Sequence, residues 1–243
     1  MHIIDCYWEK ENLNKRVVEI FIRRKEDLDE KLLSELERNY EYLVIKTEVN
    51  DAHKYFQLQE RNYKFIESQI SISKQINKIA TENKSLKLLL KTSSIEIITS
   101  RNDLDNLCSM ITEDMFSTDR IYIDPNFGPQ WSKKRYINWI RTEFEKGTTV
   151  CWMIHKGVKV GFRLYKVTNG IYHGLLGGIF NNYQGVGIGA LTTMGGYLCA
   201  LNNPEIKKIE TKISSNNIEV LKLYNYFDFK IDSIHNVFVK SMK

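Results

Sequence analysis

The stretch Asn181-Asn182-Tyr183-Gln184-Gly185-Val186-Gly187-Ile188-Gly189-Ala190 gathers the residues whose spacing can do chemistry. An apolar strand-like run precedes it and an apolar helix-like run follows it. Three glycines alternate where the helix is expected to begin. Glycine there permits unusual φ/ψ values and removes the Cβ atoms that would block a close ligand. Backbone N–H groups at such a turn, together with the positive end of the helix, make a phosphate site. A tight strand-to-helix turn with close packing asks for the same glycines, so the pattern alone leaves both readings open. Two nucleotide motifs are excluded. No Gly-Lys-Ser/Thr is present, so the turn is not a P-loop. The spacing is not G-x-G-x-x-G, and no strand ending in an acid follows at the dinucleotide-binding distance.

A second element lies downstream, at Asn217-Ile218-Glu219-Val220-Leu221-Lys222-Leu223-Tyr224-Asn225-Tyr226-Phe227-Asp228-Phe229. The glycine turn matches Q/R-x-x-G-x-G/A through Gln184, Gly187 and Gly189. The downstream run resembles N-x-x-A-x-x-L-Y-x-x-x-G-F. Two signals in this order, with a strand between them, support one another. Together they resemble the GNAT superfamily of N-acetyltransferases. Asp228 departs from the pattern, standing where the family has a glycine in the left-handed conformation that ends the helix. Asp tolerates that conformation better than most residues do.

The resemblance implies acetyl-CoA as cosubstrate, no metal, and direct attack of an amine on the thioester. No Cys or Ser sits in a nucleophile elbow and no Ser-His-Asp set is evident, which agrees. The implied pyrophosphate contacts are Gln184, Gly185, Val186, Gly187, Ile188, Gly189 and Ala190. Leu176, Gly177 and Ile179 on the preceding strand, and Asn217, are implied to contact the rest of the cofactor. That strand should splay from its neighbour between Gly174 and Phe180, with Gly177-Gly178 fitting a bulge or a close ligand. Tyr224 matches the family tyrosine that protonates the departing thiolate, a task a phenol within hydrogen-bond reach can perform. A core tyrosine is the competing reading. His173 carries an imidazole, the side chain whose type suits proton removal; a structural histidine, with water taking the amine proton, is the alternative.

Periodicity supplies the elements that must position these groups. Strands are expected at Val17–Ile22, Tyr42–Thr47, Phe65–Ile72 and Ile95–Ile98. Helices are expected from Asp27, over Asp51–Arg61 and over Arg101–Met115. A loop over Thr118–Trp131 leads to a helix capped by Ser132. A hairpin follows, turning at Lys156-Gly157, then a strand to Phe180, an apolar helix, a strand at Lys208–Ile213, a helix from Asn216 and two final strand-like stretches. The fold class is α/β (α+β), a GNAT-type mixed central sheet flanked by helices and preceded by a smaller α/β domain. The polar connector Ser73–Lys91 places the boundary, giving an N-terminal domain over 1–90 and an acetyltransferase domain over 91–243.

The middle of the chain carries a looser likeness. Arg120, Tyr122, Pro125, Tyr136, Trp139 and Ile140, with Tyr42 to Lys46 upstream, resemble the TDP-fucosamine acetyltransferase group. That group acetylates the 4-amino group of a TDP-linked dideoxy sugar for surface polysaccharides. The resemblance implies a small-molecule amine acceptor, a TDP-amino sugar. Arg120 would meet its pyrophosphate, and Tyr122, Phe127 or Trp131 would stack on its base. Packing of those aromatics on the sheet is the other reading. An N-terminal half of this kind completes the sugar site or makes a homodimer contact. Acetylation of a protein N-terminus or a polyamine, and a non-catalytic acyl-CoA-binding module, are the competing functions.

Composition narrows the field. In 243 residues the apolar share is 42% and the formal charge +5, with basic and acidic residues mixed throughout. That pattern lacks the dense basic footprint of a nucleic-acid binder. Cys6, Cys108, Cys151 and Cys199 show no metal-ligand spacing and read as reduced, buried thiols. MHIIDCYWEK is acidic and aromatic, unlike a signal peptide, and no apolar run reaches a membrane span. The expectation is a cytoplasmic protein acting away from membranes. If the glycine turn holds a pyrophosphate, Gly187→Val or Gly189→Val should lower acetyl-CoA affinity with little loss of fold. Unchanged binding by calorimetry in a folded variant would leave the turn a purely structural device.

Overall fold

A computed structural model describes residues 1–76, 84–184 and 188–242 of the chain, apart from the side chains of residues 85 and 86. Strand-forming residues run through the whole sequence, and ten strands among the described residues join one sheet. Its edge begins with β1 (His2–Asp5), antiparallel to β2 (Val17–Ile22). A short helix α1 (Glu9–Leu13) lies between them. β2 runs parallel to β3 (Tyr42–Glu48). Parallel neighbours need a crossover, and α2 (Glu30–Asn39) supplies it. Asp29 starts that helix by accepting the Leu32 amide at 3.0 Å. The helix therefore opens three residues later than the sequence signal at Asp27. α3 (Ala52–Glu60), capped by Asp51, leads to β4 (Lys64–Gln75).

The second half adds α4 (Lys84–Thr92), β5 (Ser93–Ile97) and α5 (Arg101–Ser109). Next come α6 (Arg120–Ile123), α7 (Pro129–Glu145) and the antiparallel run β6 (Thr149–His155), β7 (Val158–Thr168) and β8 (Ile171–Ile179). Helix α8 (Leu191–Asn202) crosses to the parallel strand β9 (Lys208–Ser214). Helix α9 (Ile218–Tyr226) and β10 (Lys230–Ser241) close the chain. The strand order is β1-β2-β3-β10-β4-β9-β8-β7-β6-β5. This is the expected mixed sheet flanked by helices.

Residues 1–90 and 91–243 alternate in the middle of that sheet. β10 pairs with β3 on one side and β4 on the other, and β4 pairs in turn with β9. One face carries α8 and α9 over Tyr165, Tyr172, Met194, Tyr197, Tyr224 and Phe229. The other carries α5 and α7 over Leu104, Leu107, Ile140, Phe162 and Leu164.

Several local expectations are corrected. The helix from Arg101 ends at Ser109, because the fully buried Ile111 turns the chain inward ahead of a 3-10 turn at Glu113–Phe116. The Thr118–Trp131 loop contains α6, capped by Asp119. Helix α7 begins at Pro129 rather than Ser132: Gly128 takes φ 106°, Pro129 occupies the first turn, and Ser132 is buried with its hydroxyl on Asp119. The two final strand-like stretches are one strand, interrupted by register shifts. The connector Ser73–Lys91 belongs to β4 at its start and to α4 at its end; 77–83 lie outside the described residues. The hairpin turn is as expected, with Lys156 and Gly157 both at positive φ. Asp228 is indeed left-handed, at φ 55°.

A fragment beginning at Lys91 would keep β10 and lose both its neighbours, uncovering Val237, Phe238 and Val239. It should show no cooperative thermal transition and should aggregate on gel filtration. A monomeric, cooperatively melting 91–243 fragment would contradict the interleaved sheet.

Candidate active site

β8 and β9 form a fork. Their ladder runs from Ile171↔Lys208 to Gly174↔Thr211 and stops there. Beyond it β8 stays paired to β7 as far as Ile179, and β9 stays paired to β4 as far as Ser214. Each lip is thus held from outside while the inner edges part. The Thr211 hydroxyl donates to the Gly174 carbonyl at 2.9 Å, closing the crotch. Leu164 pairs with Leu176 and Tyr165 with Gly174, so Leu175 is the extra residue of a β-bulge. The bulge lies upstream of Gly177-Gly178, where the glycine pair had suggested it. Those glycines have other neighbours: a Cβ on Gly177 would meet Arg163 Cδ at 2.5 Å, and one on Gly178 would meet Met115 Sδ at 3.1 Å.

Tyr224 projects from α9 onto the α8/α9 face. It is 4% exposed, and its ring meets Phe229 edge-on at 4.7 Å. Asn217 starts this helix, its side chain accepting the Val220 amide at 3.2 Å. The Arg163 side chain turns to this same face of the sheet. Its Nε is 3.4 Å from the Tyr172 hydroxyl and its Nη1 donates to the Thr192 carbonyl. Reading motifs in the sequence missed Arg163. The signal was there: a charged residue at an inward position of the apolar run Gly161-Phe162-Arg163-Leu164-Tyr165, with glycines on the neighbouring strand.

Gly185, Val186 and Gly187 of the glycine turn lie outside the described residues. Around them, Gln184 folds back, donating to the Ile179 carbonyl at 3.3 Å and to Asn181 Oδ1 at 3.0 Å. Ile188 is buried against Met153, Val160, Ile179 and Leu191. Helix α8 follows Ala190 with no side-chain cap, and a Cβ on Gly189 would meet nothing within 4 Å. The space at Gly189 is therefore not taken up by any of the described residues.

The remaining predicted site residues divide. His173 pairs with Glu210 in the closed part of the ladder, and its Nδ1 is 3.4 Å from that carboxylate, on the shut side of the crotch. Arg120 is drawn inward: Nη1 meets Glu19 at 3.5 Å, and Glu19 also binds Lys46 at 2.7 Å. Phe127 packs edge-on against Tyr42 at 5.0 Å and lies 6.4 Å from Trp131. Both rings join Ile121, Val44 and Val237 in an apolar cluster. Tyr122 is half-buried on α6. The loop carrying these residues is pinned by two carboxylates. Asp119 accepts from Ser132 and Tyr136, and Asp124 accepts from Tyr42 at 2.6 Å.

Glu67, on β4, is the buried acid of this region. Burial pushes its carboxyl above the ordinary range, against the pull of a Ser214 hydrogen bond, Arg120 and Lys46. Ser214 is the last residue of β9, so this acid stands beside one lip of the fork. The four cysteines are free and buried. Burial pushes the Cys151 thiol to about 12 and that of Cys199 to about 11, far from a reactive thiolate. Among the described residues no His/Cys/Asp/Glu group is arranged to hold a metal, and no helix is long and apolar enough to cross a membrane.

No protein-family model matches this chain, and no curated protein matches it by sequence. Solved structures do resemble it in fold. A GCN5-related N-acetyltransferase from Sphaerobacter thermophilus aligns over 83% of this chain and 60% of its own, with 10% identity and a TM-score of 0.58. A tandem GNAT protein from the clavulanic acid biosynthesis pathway aligns over 91% of this chain and 72% of its own, at 10% identity and TM-score 0.56. A functionally unknown conserved protein from Staphylococcus epidermidis aligns over 93% and 84%, at 12% identity and TM-score 0.59. The chain thus spans about three fifths of the Sphaerobacter protein. At this identity the likeness establishes the architecture, a GNAT-type fold.

The buried acid makes a pH prediction. A carboxyl whose folded pKa is raised holds its proton more tightly in the folded state than in the unfolded one. Its contribution to stability is present below the ordinary Glu range and is lost as pH rises through the folded value. Glu67→Gln removes that titration. The melting temperature of the variant relative to the parent should therefore climb as the pH rises through and above the ordinary Glu range. A difference independent of pH would show that Glu67 titrates as an ordinary carboxylate.

Proposed function

We propose that this chain is an acetyl-CoA-dependent N-acetyltransferase in which an amine attacks the thioester directly. The observation that carries the reading is the fork between β8 and β9, with a buried phenol on the helix beneath it. A fork that leaves backbone polar groups unpaired inside a sheet needs an occupant to satisfy them. A pantetheine arm is extended and carries amides, so it fits such a slot. Residues 185–190, Gln184 and the α8 N-terminus would hold the pyrophosphate. Leu176, Gly177 and Ile179 would line one lip, and Asn217 and Tyr224 the face below.

The chemistry is a single exchange. The amine nitrogen bonds to the carbonyl carbon, the carbon–sulfur bond breaks, and the electron pair leaves on sulfur. Tyr224 gives that sulfur a proton, and the amine's surplus proton passes to His173, another base or water. Positioning and this proton transfer are the protein's work.

For the acceptor, the resemblance around Arg120 and Tyr136 supports a TDP-linked 4-amino-dideoxy sugar, with Tyr122, Phe127 and Trp131 nearby. The engagement of Arg120 by Glu19 means that a phosphate would have to compete for its guanidinium. A protein N-terminus or small amine is the alternative acceptor. On this reading residues 1–90 complete the acceptor side and 91–243 carry the donor site.

The test is acetyl-CoA turnover with a panel of amines that includes nucleotide amino sugars, run on the parent and on Tyr224→Phe. The variant should lose ~10²–10⁴-fold in kcat, with KM for acetyl-CoA little changed. A thioester with a better leaving thiol should partly rescue it. A lower melting temperature with near-normal kcat would make Tyr224 a core tyrosine. Tight acetyl-CoA binding with no turnover of any amine would make the protein a binding module.

A further inference from the structure

Amine attack leaves a surplus proton on nitrogen as well as an electron pair on sulfur, and Tyr224 serves only the sulfur. Tyr172, Met194, Tyr224 and Phe229 fill the α8/α9 face. An amine therefore comes to the fork from the opposite face, and a base for its proton belongs there. His173 is on that face. Tyr172 points to α8 and α9, which sends His173 the other way. Its ladder partner on β7, Lys166, shares a face with Leu164 and binds Glu143 of α7 at 2.7 Å. On β9, Ile209 points to α8, which sends Glu210 to the side of His173.

His173 and Glu210 are Cα partners in the rung before the β8–β9 ladder ends. The last rung, Gly174↔Thr211, is locked by the Thr211 hydroxyl. Both backbones are thus fixed beside the opening. An imidazole reaches farther than the ~3.3 Å between successive residues of a parallel strand, so a ring rooted on the closed side extends to the crotch. The ring is 35% exposed, which leaves it open to an acceptor.

The two oxygens of Glu210 have different partners. Oε1 is 2.6 Å from Lys208 Nζ, and Oε2 is 3.4 Å from His173 Nδ1. Lys208 stands two residues before Glu210, on the same face, and holds the carboxylate from behind. The other groups near this rung are engaged. Glu143 is bound at 2.7 Å by both Lys166 and Thr148, and Ser73, the β4 partner of Glu210, gives its hydroxyl to Asp232 at 3.0 Å. Glu210 is therefore the acid placed to claim Nδ1. The bond a histidine makes through one ring nitrogen decides which nitrogen carries the proton. With the proton on Nδ1, the lone pair is on Nε2. At 3.4 Å the contact is long, as catalytic hydrogen bonds are before substrate tightens them.

We propose, resting on the acetyltransferase reading, that Glu210 is a positioning residue for His173. Its carboxylate accepts the Nδ1 proton, leaves Nε2 free to take a proton at the crotch, and provides the counter-charge for the imidazolium that forms. The amine nitrogen bonds to the carbonyl carbon, the C–S bond breaks, and sulfur takes the Tyr224 proton. The surplus nitrogen proton passes to His173 Nε2 and from there to solvent, and the Tyr224 phenolate regains a proton from solvent. Base and acid thus act from opposite faces of one sheet.

The pairing is tested without substrate by long-range ¹H–¹⁵N spectra of protein labelled with ¹⁵N-histidine, at alkaline pH where imidazoles are neutral. The His173 signals are assigned by their loss in His173→Ala. The parent ring should carry its proton on Nδ1, and in Glu210→Ala the proton should shift to Nε2. A parent ring protonated on Nε2 overturns the proposal, as does a tautomer unchanged in Glu210→Ala. Should Glu210→Ala not fold, the parent spectrum decides alone. The kinetic arm separates catalysis from a structural ion pair, with the amine that the parent turns over fastest as acceptor. His173→Ala should lose ~10²-fold or more in kcat, and imidazole added to the buffer should restore part of it. Glu210→Ala should lower kcat about tenfold, roughly 1.4 kcal/mol of barrier, with KM for acetyl-CoA unchanged and partial recovery in Glu210→Gln. It should cost nothing further in the His173→Ala background. A normal kcat in His173→Ala, or a Glu210→Ala loss that persists in that background, overturns the proposal. A parent protein that turns over no amine overturns the acetyltransferase reading, and the tautomer still decides whether Glu210 orients the ring.

Discussion

The end of the β8–β9 ladder at Gly174 and Thr211 is the constraint on which the rest depends. Two parallel strands that part inside a sheet each give up a row of hydrogen bonds, and such a gap survives only if both strands are anchored on their outer sides. On one side the anchor is β7, reached by a short antiparallel turn at Asn169-Gly170. On the other it is β4, which comes from far earlier in the chain and is itself clamped between β9 and β10. The N-terminal strands are therefore part of the structural support of the fork.

That support has an electrostatic side. The loop that carries α6 reaches back over β2 and β3, and its charges are paired across that junction: Arg120 with Glu19, Asp124 with Tyr42, and Arg135 on α7 with Glu9. Buried pairs of this kind contribute little net stability but are strongly destabilising when half of one is removed. They set the position of the loop relative to the first three strands. The groups reaching the fork differ in kind. Arg163 meets the Tyr172 phenol and a carbonyl, and Glu67 is held above its ordinary range by burial. The buried cations of the junction meet carboxylates, whereas among the described residues none stands at ion-pair distance from Arg163.

The glycines divide in the same way. Those of β8 and α8 make room for an arginine and for neighbouring side chains, a role for which the alternating pattern at the turn gave no hint. Gly189, by contrast, faces no other described residue within 4 Å. Substituting a glycine at one place disturbs the fold's own side chains, and at the other leaves them untouched.

Much of this was legible in the residues themselves. Strand and helix types follow from periodicity, and the hairpin at Lys156-Gly157 and the left-handed Asp228 follow from turn chemistry, because these are local preferences carried by a few neighbouring residues. The Gln184–Gly189 and Asn217–Phe229 runs pointed to the GNAT architecture for the same reason, each being a short segment with a local task. Four things were decided only by the tertiary structure. β10 inserts between β3 and β4, Arg120 turns inward to Glu19, His173 falls on the closed side of the crotch, and Arg163 fills the space left by Gly174, Gly177 and Gly195. Each depends on strand register or on contacts between residues tens of positions apart. A register shift of one residue sends a side chain to the other face, and nothing in the neighbouring sequence records which register the sheet adopts.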